Sequence, residues 1–309
     1  MKFFKSIERK ISHLKQQYLL HLLLRKYHQD EVIQRFAQIN PESEGCGEIG
    51  ATSPIWLCWW QGEKQMPEVV NLCYRSIKKH ACQHPVVLLT EENQAQYLHL
   101  PPMVWSKYQA GLISRTHLSD IARVYLLKEY GGIWMDATIL LTEDIDRVVD
   151  IHCSYWSYRH VTPYNNVSKG LWTSYFQASS KDHFISAYLY ESLVHWWKHN
   201  DKLFTYLQFD YFFRLGYEHL LAMRHYIDHL PVRPIGMLRK ILDAEYDSAQ
   251  WERVIGEAPF HKLSYKKYTK KCTKQGVVLT MLICSNFMSN GIRNGHLSYF
   301  FSLNLSYLK

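Results

Sequence analysis

Residues 119–138 have the sequence SDIARVYLLKEYGGIWMDAT, which is the most informative segment of the chain for its fold. Its first part has apolar residues at helical spacing, which predicts a helix over 119–130. Gly131 and Gly132 end that helix, because glycine tolerates the left-handed conformation in which helices terminate. The apolar run 133–141 then predicts a strand that contains one acid, Asp136. A carboxylate in such surroundings is costly to bury without a partner, and a metal ion or a hydrogen-bonded sugar would provide one.

The sequence before this stretch predicts a parallel sheet. Short apolar runs at 55–60 and 86–90 are typical of buried strands, and residues 67–80 between them have helical spacing that starts at a proline. A strand, a helix and a strand in so short a segment predict a βαβ unit, and therefore an α/β fold. Further along the chain, the pattern predicts helices over 182–199 and 206–217 and a strand over 277–283.

The first 40 residues are predicted to be helical and are strongly basic, with Lys2, Lys5, Arg9, Lys10, Lys15, Arg25 and Lys26. Such a helix either lies on an anionic membrane surface or packs on the main domain or a neighbouring subunit. No apolar run approaches the roughly 20 residues of a membrane span. Charges at 8–10 also interrupt the apolar core that a signal peptide needs. We therefore expect a cytoplasmic protein. If the basic helix lies on a membrane, we expect peripheral contact with the inner face of the cell membrane.

Composition bounds the class of protein. The chain has 309 residues, of which 47% are hydrophobic, so it has enough apolar residues for a globular core. Lys and Arg total 36 against 28 Asp and Glu, and the net charge of +8 favours an anionic partner without selecting one. The seven cysteines include no C-x-x-C pair, a pattern typical of reduced thiols. The sequence has no Gly-rich dinucleotide fingerprint and no P-loop, which argues against dinucleotide redox chemistry and ATP hydrolysis.

The basic residues gather at the two ends of the chain. A nucleic-acid-binding protein would be expected to interleave them with aromatic residues on one face or to contain a recognisable binding module, and neither is present. We therefore predict no nucleic-acid partner. The expected organisation is a basic amphipathic helical extension at 1–45, an enzyme domain at 54–270 and a C-terminal tail at 271–309 that packs on the domain.

Asp120 and Arg123 are three residues apart, so they share one face of the predicted helix. Taken alone, the pair is more typical of a surface ion pair than of a functional site. Because Asp136 follows so closely, the three side chains together suit a site that holds sugar hydroxyls, a divalent cation and a diphosphate.

These residues carry a family resemblance. The run 119–138 resembles the core motif of the capsular polysaccharide synthesis proteins, which are related to the Asp-x-Asp sugar transferases of glycosyltransferase family 32. The flanking blocks PIWLCWWQGE at 54–63, QFDYFF at 208–213 and HKLSYK at 261–266 resemble other blocks of that family in the expected order. The resemblance implies a GT-A fold, in which a Rossmann-like α/β sheet binds a nucleotide-diphosphate sugar at the carboxyl ends of its strands.

The resemblance also implies a function. It indicates a hexosyltransferase-like enzyme that moves a sugar onto a growing bacterial surface polysaccharide, such as capsule, exopolysaccharide or lipopolysaccharide. The acceptor would be a glycan or a lipid-linked glycan, and the family-32 relationship favours retention of the anomeric configuration. The alternative is a catalytically weak or inactive member that binds sugar nucleotide or acts as a scaffold.

Roles follow from position in the motifs. By resemblance, Asp120 and Arg123 hold the donor sugar, Asp136 contacts a divalent cation, Mn²⁺ or Mg²⁺, and Trp56 stacks on the nucleobase. In the later block, His261 is implied as a metal or phosphate ligand.

The remaining assignments concern the diphosphate and the acceptor. In the same later block, the resemblance implies Lys262 and Lys266 as phosphate contacts. Asp210 lies among aromatic residues and is a candidate to orient the acceptor or act as its base, or else to cap a helix.

One departure from the family pattern concerns the cation. The second acid of Asp-x-Asp is Thr138 in this chain. In an extended strand, residues 136 and 138 face the same way, so Thr138 would offer a neutral oxygen to a metal-bound water. We expect metal binding to be weaker as a result. Metal independence, with lysines neutralising the leaving diphosphate, is the alternative.

Overall fold

The computed structural model describes residues 2–40, 47–161, 166–234, 238–241 and 247–265. The helices of this part of the chain are α1 Lys2–Arg25, α2 Gln29–Phe36, α3 Glu68–Lys79, α4 Gln94–Tyr97, α5 Pro102–Gln109, α6 Arg115–Tyr130, α7 Ile145–Val148, α8 Phe184–His199, α9 Gln208–His219, α10 Leu221–Asp228, α11 Leu238–Ile241 and α12 Ser248–Glu257. The strands are β1 Ile55–Cys58, β2 Val86–Leu89, β3 Gly132–Met135, β4 Ile139–Leu141, β5 Tyr155–Trp156, β6 Arg159–His160, β7 Phe176–Ser179, β8 Val232–Arg233 and β9 Phe260–Lys262.

Five strands form the central sheet in the order β2-β1-β3-β7-β5. Strand β1 pairs parallel with both β2 and β3, and α3 connects β1 to β2, so the predicted βαβ unit is present. Strand β7 runs antiparallel to β3 and β5, which makes the sheet mixed. The α/β prediction is confirmed. Because β1 and β3 are parallel, their carboxyl ends, at Cys58 and Met135, lie at the same edge of the sheet.

The turn between α6 and β3 needs both of its glycines. Gly131 and Gly132 have φ of 69° and 103°, in the region that favours glycine. A Cβ on Gly132 would also overlap the carbonyl oxygen of Pro54, which precedes β1. Helix α6 begins at Arg115, earlier than predicted, because the Ser114 side chain accepts a hydrogen bond from the His117 backbone N–H and caps the helix.

The predicted strand over 133–141 is wrong in one respect. It is two strands, because β3 ends at Met135 and β4 starts at Ile139, with Asp136 at the start of the turn between them. The Ile139 N–H donates to the Asp136 carbonyl oxygen at 2.9 Å, and β4 leaves the central sheet to pair antiparallel with β9. Asp136 and Thr138 are therefore not alternate residues of one extended strand.

The N-terminal helices pack on the rest of the protein through one side. Leu20 and Leu23 of α1 and residues of α2 lie in the same buried cluster as residues of α8 and α9. The opposite side of α1 leaves Ile11, Leu14 and Tyr18 more than 60% exposed. No described helix is both long and apolar enough to cross a bilayer.

Other sequence predictions have mixed outcomes. Helices α8 and α9 lie within two residues of their predicted bounds. The cysteines within the described ranges, Cys58, Cys73, Cys82 and Cys153, are free thiols, which agrees with the prediction. The predicted strand over 277–283 and the tail at 271–309 lie outside the described residues, and the domain boundaries stay predictions.

Candidate functional site

Asp136 lies where the central strand β3 ends. Its backbone N–H donates to the Tyr175 carbonyl oxygen at 2.9 Å, which fixes the turn. Its Oδ1 accepts a hydrogen bond from the Trp134 indole N–H at 3.1 Å. The side chain keeps 30% of its surface exposed, so it is anchored at the sheet edge and still reachable from solvent.

Arg123 joins helix α6 to this acid. Its Nη2 lies 3.2 Å from Asp120 Oδ1 and 3.4 Å from Asp136 Oδ1. The guanidinium carbon is 5.2 Å from the Trp134 ring centroid and 4.9 Å from that of Phe209, so the cation lies against two aromatic rings. Only 7% of the side chain is exposed. Arg123 is therefore a fixed positive charge between two carboxylates.

Lys262 reaches Asp136 from strand β9. Its Nζ donates to Asp136 Oδ2 at 2.6 Å and lies 5.0 Å from the Tyr175 ring centroid. Burial raises the pKa of Asp136, but the charges of Lys262 and Arg123 outweigh that effect and hold the pKa below its ordinary value. Asp136 is thus an ionised carboxylate between two cations.

His261 does not join the cluster. Neighbouring residues of a strand face opposite ways, and His261 pairs in register with Leu140 of β4 while Lys262 turns towards Asp136. The imidazole is fully buried, and burial lowers its pKa to about 4. Within the described residues neither ring nitrogen meets hydrogen-bond geometry, although the backbone of Ala258 acts to raise that pKa. In this structure His261 is a core residue, contrary to its predicted place beside Asp136.

Two more carboxylates share the electrostatic environment of Arg123. Burial raises the pKa of Asp120 to about 7, with the negative charges of Asp136 and Asp210 adding to the effect and Arg123 opposing it. Burial also raises the pKa of Asp210, against a hydrogen bond from the Trp172 indole N–H at 2.9 Å. Asp120, Arg123, Asp136 and Asp210 therefore lie in one region.

The predicted nucleobase contact does not have an open face. Trp56 is 2% exposed, its indole N–H donates to the Gly131 carbonyl oxygen at 2.8 Å, and its ring packs on Tyr97 and Tyr130. The structure thus argues against stacking on Trp56. Trp59, just beyond the carboxyl end of β1, is partly exposed and makes an edge contact with Tyr265 at 5.4 Å between ring centroids. Lys266 lies outside the described residues.

The side chains around Asp136 do not form a ligand set for the divalent cation that the resemblance implies. Both carboxylate oxygens already accept from donors, and the nearest charged groups, Arg123 and Lys262, are cations. Thr138 follows in the turn and brings no charge. Within the described ranges, no group of three or more His, Cys, Asp or Glu side chains is arranged to hold a metal ion. The chemistry of the donor set therefore opposes a cation on this carboxylate.

Sequence reasoning missed the tryptophans that hold the acids. Trp134 donates to Asp136 and Trp172 donates to Asp210, and both indoles are almost fully buried. The available signal was that a buried indole N–H needs an acceptor, and Trp134 is two residues from the acid. Trp172 is far from Asp210 in sequence, so that contact had no local signal.

A cavity of about 810 Å³ lies elsewhere on the molecule. Its lining includes Asp146, His225, Tyr226 and Arg233, and none of the residues around Asp136.

Comparisons with known proteins place this site in a family. The profile of the capsular polysaccharide synthesis proteins matches residues 1–281. This α/β protein, with an acid–arginine–lysine cluster at the carboxyl end of its central strand, belongs to the capsular polysaccharide synthesis protein family. The family predicted from the core motif is confirmed.

The chain was also compared with solved structures and with curated protein sequences. Among solved structures, the PaToxG glycosyltransferase is similar with 12% sequence identity and a TM-score of 0.40, and the match covers 78% of this chain and 95% of that one. No curated protein sequence matches the chain.

Proposed function

We propose that this protein is a glycosyltransferase that moves a sugar from a nucleotide-diphosphate donor to a growing bacterial surface polysaccharide. Membership of the capsular polysaccharide synthesis family supports a transferase in glycan assembly. The observation that carries the proposal is the ionised Asp136 held between Arg123 and Lys262 at the carboxyl end of β3. Nucleotide ligands bind at that edge of α/β sheets, and a pair of cations there suits a diphosphate.

The reaction needs charge neutralisation and positioning. The bond between the anomeric carbon and the donor phosphate oxygen breaks, and its electron pair stays on the departing diphosphate. The acceptor hydroxyl oxygen bonds to the anomeric carbon, and its proton passes to the departing diphosphate. Fixed cations beside the diphosphate stabilise the charge that develops, since they need no reorganisation at the moment of reaction. On the basis of the family-32 relationship we propose that the anomeric configuration is retained.

We assign the roles by charge and exposure. Asp120 and Arg123 position the donor sugar, with Asp120 accepting from its hydroxyls. Lys262 contacts the diphosphate, and Lys266 is a second proposed contact. Asp210 remains our candidate for orienting the acceptor hydroxyl, because its raised pKa and its contact with Trp172 suit a carboxyl that shares a proton.

For the nucleobase we propose Trp59 instead of Trp56. Trp59 is partly exposed and follows the carboxyl end of β1, whereas Trp56 is enclosed by Tyr97 and Tyr130. Aromatic rings offer a flat surface on which a base can stack.

The acceptor is proposed to be lipid-linked, at the inner face of the cell membrane. Support comes from α1, whose exposed Ile11, Leu14 and Tyr18 share one side of the helix and are flanked by exposed Lys10 and Lys15. An apolar stripe bordered by basic residues suits an anionic bilayer surface, with the apolar side chains in the headgroup boundary.

A second candidate function rests on Thr138. Because this residue brings no charge where the family pattern has an acid, the chain is alternatively a weak or inactive member that binds sugar nucleotide or serves as a scaffold. Both functions predict that the donor binds, and only the active transferase turns it over at a substantial rate.

The test is donor hydrolysis and binding over UDP-, GDP-, CMP- and dTDP-sugars, on wild type and Asp136→Asn. An enzyme turns over one donor, and Asp136→Asn lowers that rate by about 100-fold or more. The control, Glu31→Gln, changes an exposed acid on helix α2 and leaves the rate unchanged. Binding without turnover would favour the scaffold function. If no donor binds under any condition, the proposed function is wrong.

A further inference from the structure

Both oxygens of Asp136 are engaged, and one of them by an ammonium group. Oδ1 accepts from Trp134 at 3.1 Å and lies 3.4 Å from Arg123, and Oδ2 accepts from Lys262 Nζ at 2.6 Å. A divalent cation on this carboxylate would have to displace Lys262 and then lie close to two positive charges. Partial burial strengthens that repulsion, because the surroundings screen it less than water does.

The register of the β4–β9 pair decides which group reaches Asp136. Lys262 faces the acid, while the adjacent His261, a residue type that binds metals, is buried on the other side. Thr138 lies in the turn and brings no second carboxylate. The site thus has a cation of its own, and among the residues that the structure describes no three His, Cys, Asp or Glu side chains are arranged to hold a metal ion.

We infer that Lys262 is the resident cation of this site and replaces a divalent metal in neutralising the diphosphate of the donor. The inference rests on the proposed function and deepens it. When the bond from the anomeric carbon to the phosphate oxygen breaks, the electron pair stays on that oxygen and the Lys262 ammonium compensates its charge. Lys262 gives up no proton, and the acceptor proton goes to the departing diphosphate.

Asp136 positions Lys262 before the donor arrives. The ion pair keeps the ammonium at the sheet edge, and both side chains are partly exposed, at 30% for Asp136 and 25% for Lys262. A diphosphate approaching from solvent therefore meets an ammonium already in place, with the Arg123 guanidinium on the other side of the carboxylate. Lysine suits this role because it is a compact point charge for phosphate.

The first test measures binding of UDP, GDP, CDP and dTDP by calorimetry on the full chain, once in EDTA and once in Mn²⁺. We expect one nucleotide to bind equally well in both. In Lys262→Gln its Kd rises by about tenfold or more, because the fixed charge is lost. Lys262→Arg keeps the charge, and because a guanidinium also pairs with phosphate its Kd stays within about threefold of wild type. Lys202→Gln, at an exposed lysine, is the matched control.

The second test measures Mn²⁺ binding directly by electron paramagnetic resonance. Wild type is expected to bind no Mn²⁺ at this site. The double variant Thr138→Asp with Lys262→Ala removes the ammonium and adds the second acid, and is expected to acquire a bound Mn²⁺ ion. Circular dichroism shows whether Lys262→Gln folds. If it does not, the comparison of nucleotide binding in EDTA and in Mn²⁺, made on wild type and Lys262→Arg, still tests the inference.

Three results overturn the inference. If nucleotide binding to wild type requires Mn²⁺, the inference about Lys262 is wrong and the proposed function stands. The same holds if folded Lys262→Gln binds the nucleotide with the Kd of wild type. Absence of nucleotide binding with and without metal overturns the proposed function as well, so the two failures are distinguishable.

Discussion

Lys262 Nζ lies 2.6 Å from Asp136 Oδ2, and this contact joins strand β9 to the carboxyl end of the central strand β3. The contact depends on the pairing of β9 with β4, in which Lys262 is opposite Ile139 and His261 is opposite Leu140. A shift of one residue would exchange the two side chains between the faces of the pair. The backbone register therefore decides whether an ammonium or an imidazole lies beside the acid.

Replacing His261 by leucine tests the assignment of that residue to the core. His261 is fully buried and the Ala258 backbone acts on its ring, and a buried hydrogen bond contributes about 1 kcal/mol net, so His261→Leu should change the free energy of unfolding by about 1 kcal/mol or less. Donor turnover should stay within about threefold of wild type, because the ring does not reach Asp136. Urea denaturation and the donor assay measure the two effects. A loss of turnover as large as that in Asp136→Asn, in a folded variant, would restore His261 to the site.

Asp120 should make stability depend on pH. Its pKa is about 7 in the folded protein and near 4 when unfolded, so between these values the folded state binds more protons. The contribution of Asp120 to stability is therefore present at low pH and is lost as pH rises from about 4 to about 7. The buried histidines act in the opposite direction, so the quantity to measure is the difference between wild type and Asp120→Asn.

Urea denaturation between these pH values should show that difference falling by about 3–4 kcal/mol in total, because each unit of pKa shift corresponds to about 1.4 kcal/mol. Glu92→Gln, at an exposed acid, is the control. A flat difference for Asp120→Asn would mean that the carboxyl is ionised throughout.

Arg123→Lys should weaken the protein and its site even though the charge is kept. A lysine cannot bridge Asp120 and Asp136 and also lie flat against Trp134 and Phe209. We expect a loss of about 1–3 kcal/mol in unfolding free energy and weaker nucleotide binding. Chemical denaturation and calorimetry measure these, with the exposed Arg253→Lys as control. If Arg123→Lys loses no more stability and no more nucleotide binding than the control, the bridge from Arg123 to Asp120 and Asp136 does not stabilise the site.

Gly132→Ala should disrupt the junction of α6, β3 and β1. Its φ of 103° is unfavourable for alanine, and the added methyl would overlap the Pro54 carbonyl oxygen. A loss of more than about 2 kcal/mol is expected. Gly111→Ala is the matched control, because Gly111 has a φ of 75° with nothing within 4 Å of its Cβ position, and it should lose about 1 kcal/mol. Equal losses would show that backbone conformation alone explains the effect.

The exposed stripe of α1 should bind anionic vesicles. Each large apolar side chain that enters the bilayer boundary contributes about 1.5–3 kcal/mol, so Ile11→Gln with Leu14→Gln should reduce flotation with phosphatidylglycerol vesicles by about tenfold or more. Leu221→Gln, which changes a leucine that is 75% exposed on α10, is the control. Full-length protein that does not float with these vesicles would contradict the membrane proposal.

The fold near the core motif was predictable because its signals are local. Helix α6, the glycine turn and β3 follow from apolar spacing and from two adjacent glycines. The break after Met135 was missed because β4 is apolar like β3, and the reason it leaves the sheet is its pairing with β9, more than a hundred residues later in the chain. A local pattern does not contain that partner.

The acids and the arginine of the site could be predicted from the sequence. The tryptophans that donate to the acids, and the roles of His261 and Lys262, could not. Asp120, Arg123 and Asp136 lie within one helix–turn–strand segment, so their spacing brings them together. The choice between His261 and Lys262 required the strand register, and the choice between Trp56 and Trp59 required knowing where β1 ends. Both depend on tertiary contacts.

A crystal structure with the nucleoside diphosphate that the donor assay selects would show directly whether Lys262 binds the diphosphate. We predict the diphosphate within hydrogen-bond distance of Lys262 Nζ, beside Asp136 and Arg123 at the carboxyl end of β3. A nucleotide bound instead in the cavity lined by His225, Tyr226 and Arg233, with the Asp136–Lys262 ion pair unchanged, would show that Lys262 is not the cation that binds the diphosphate.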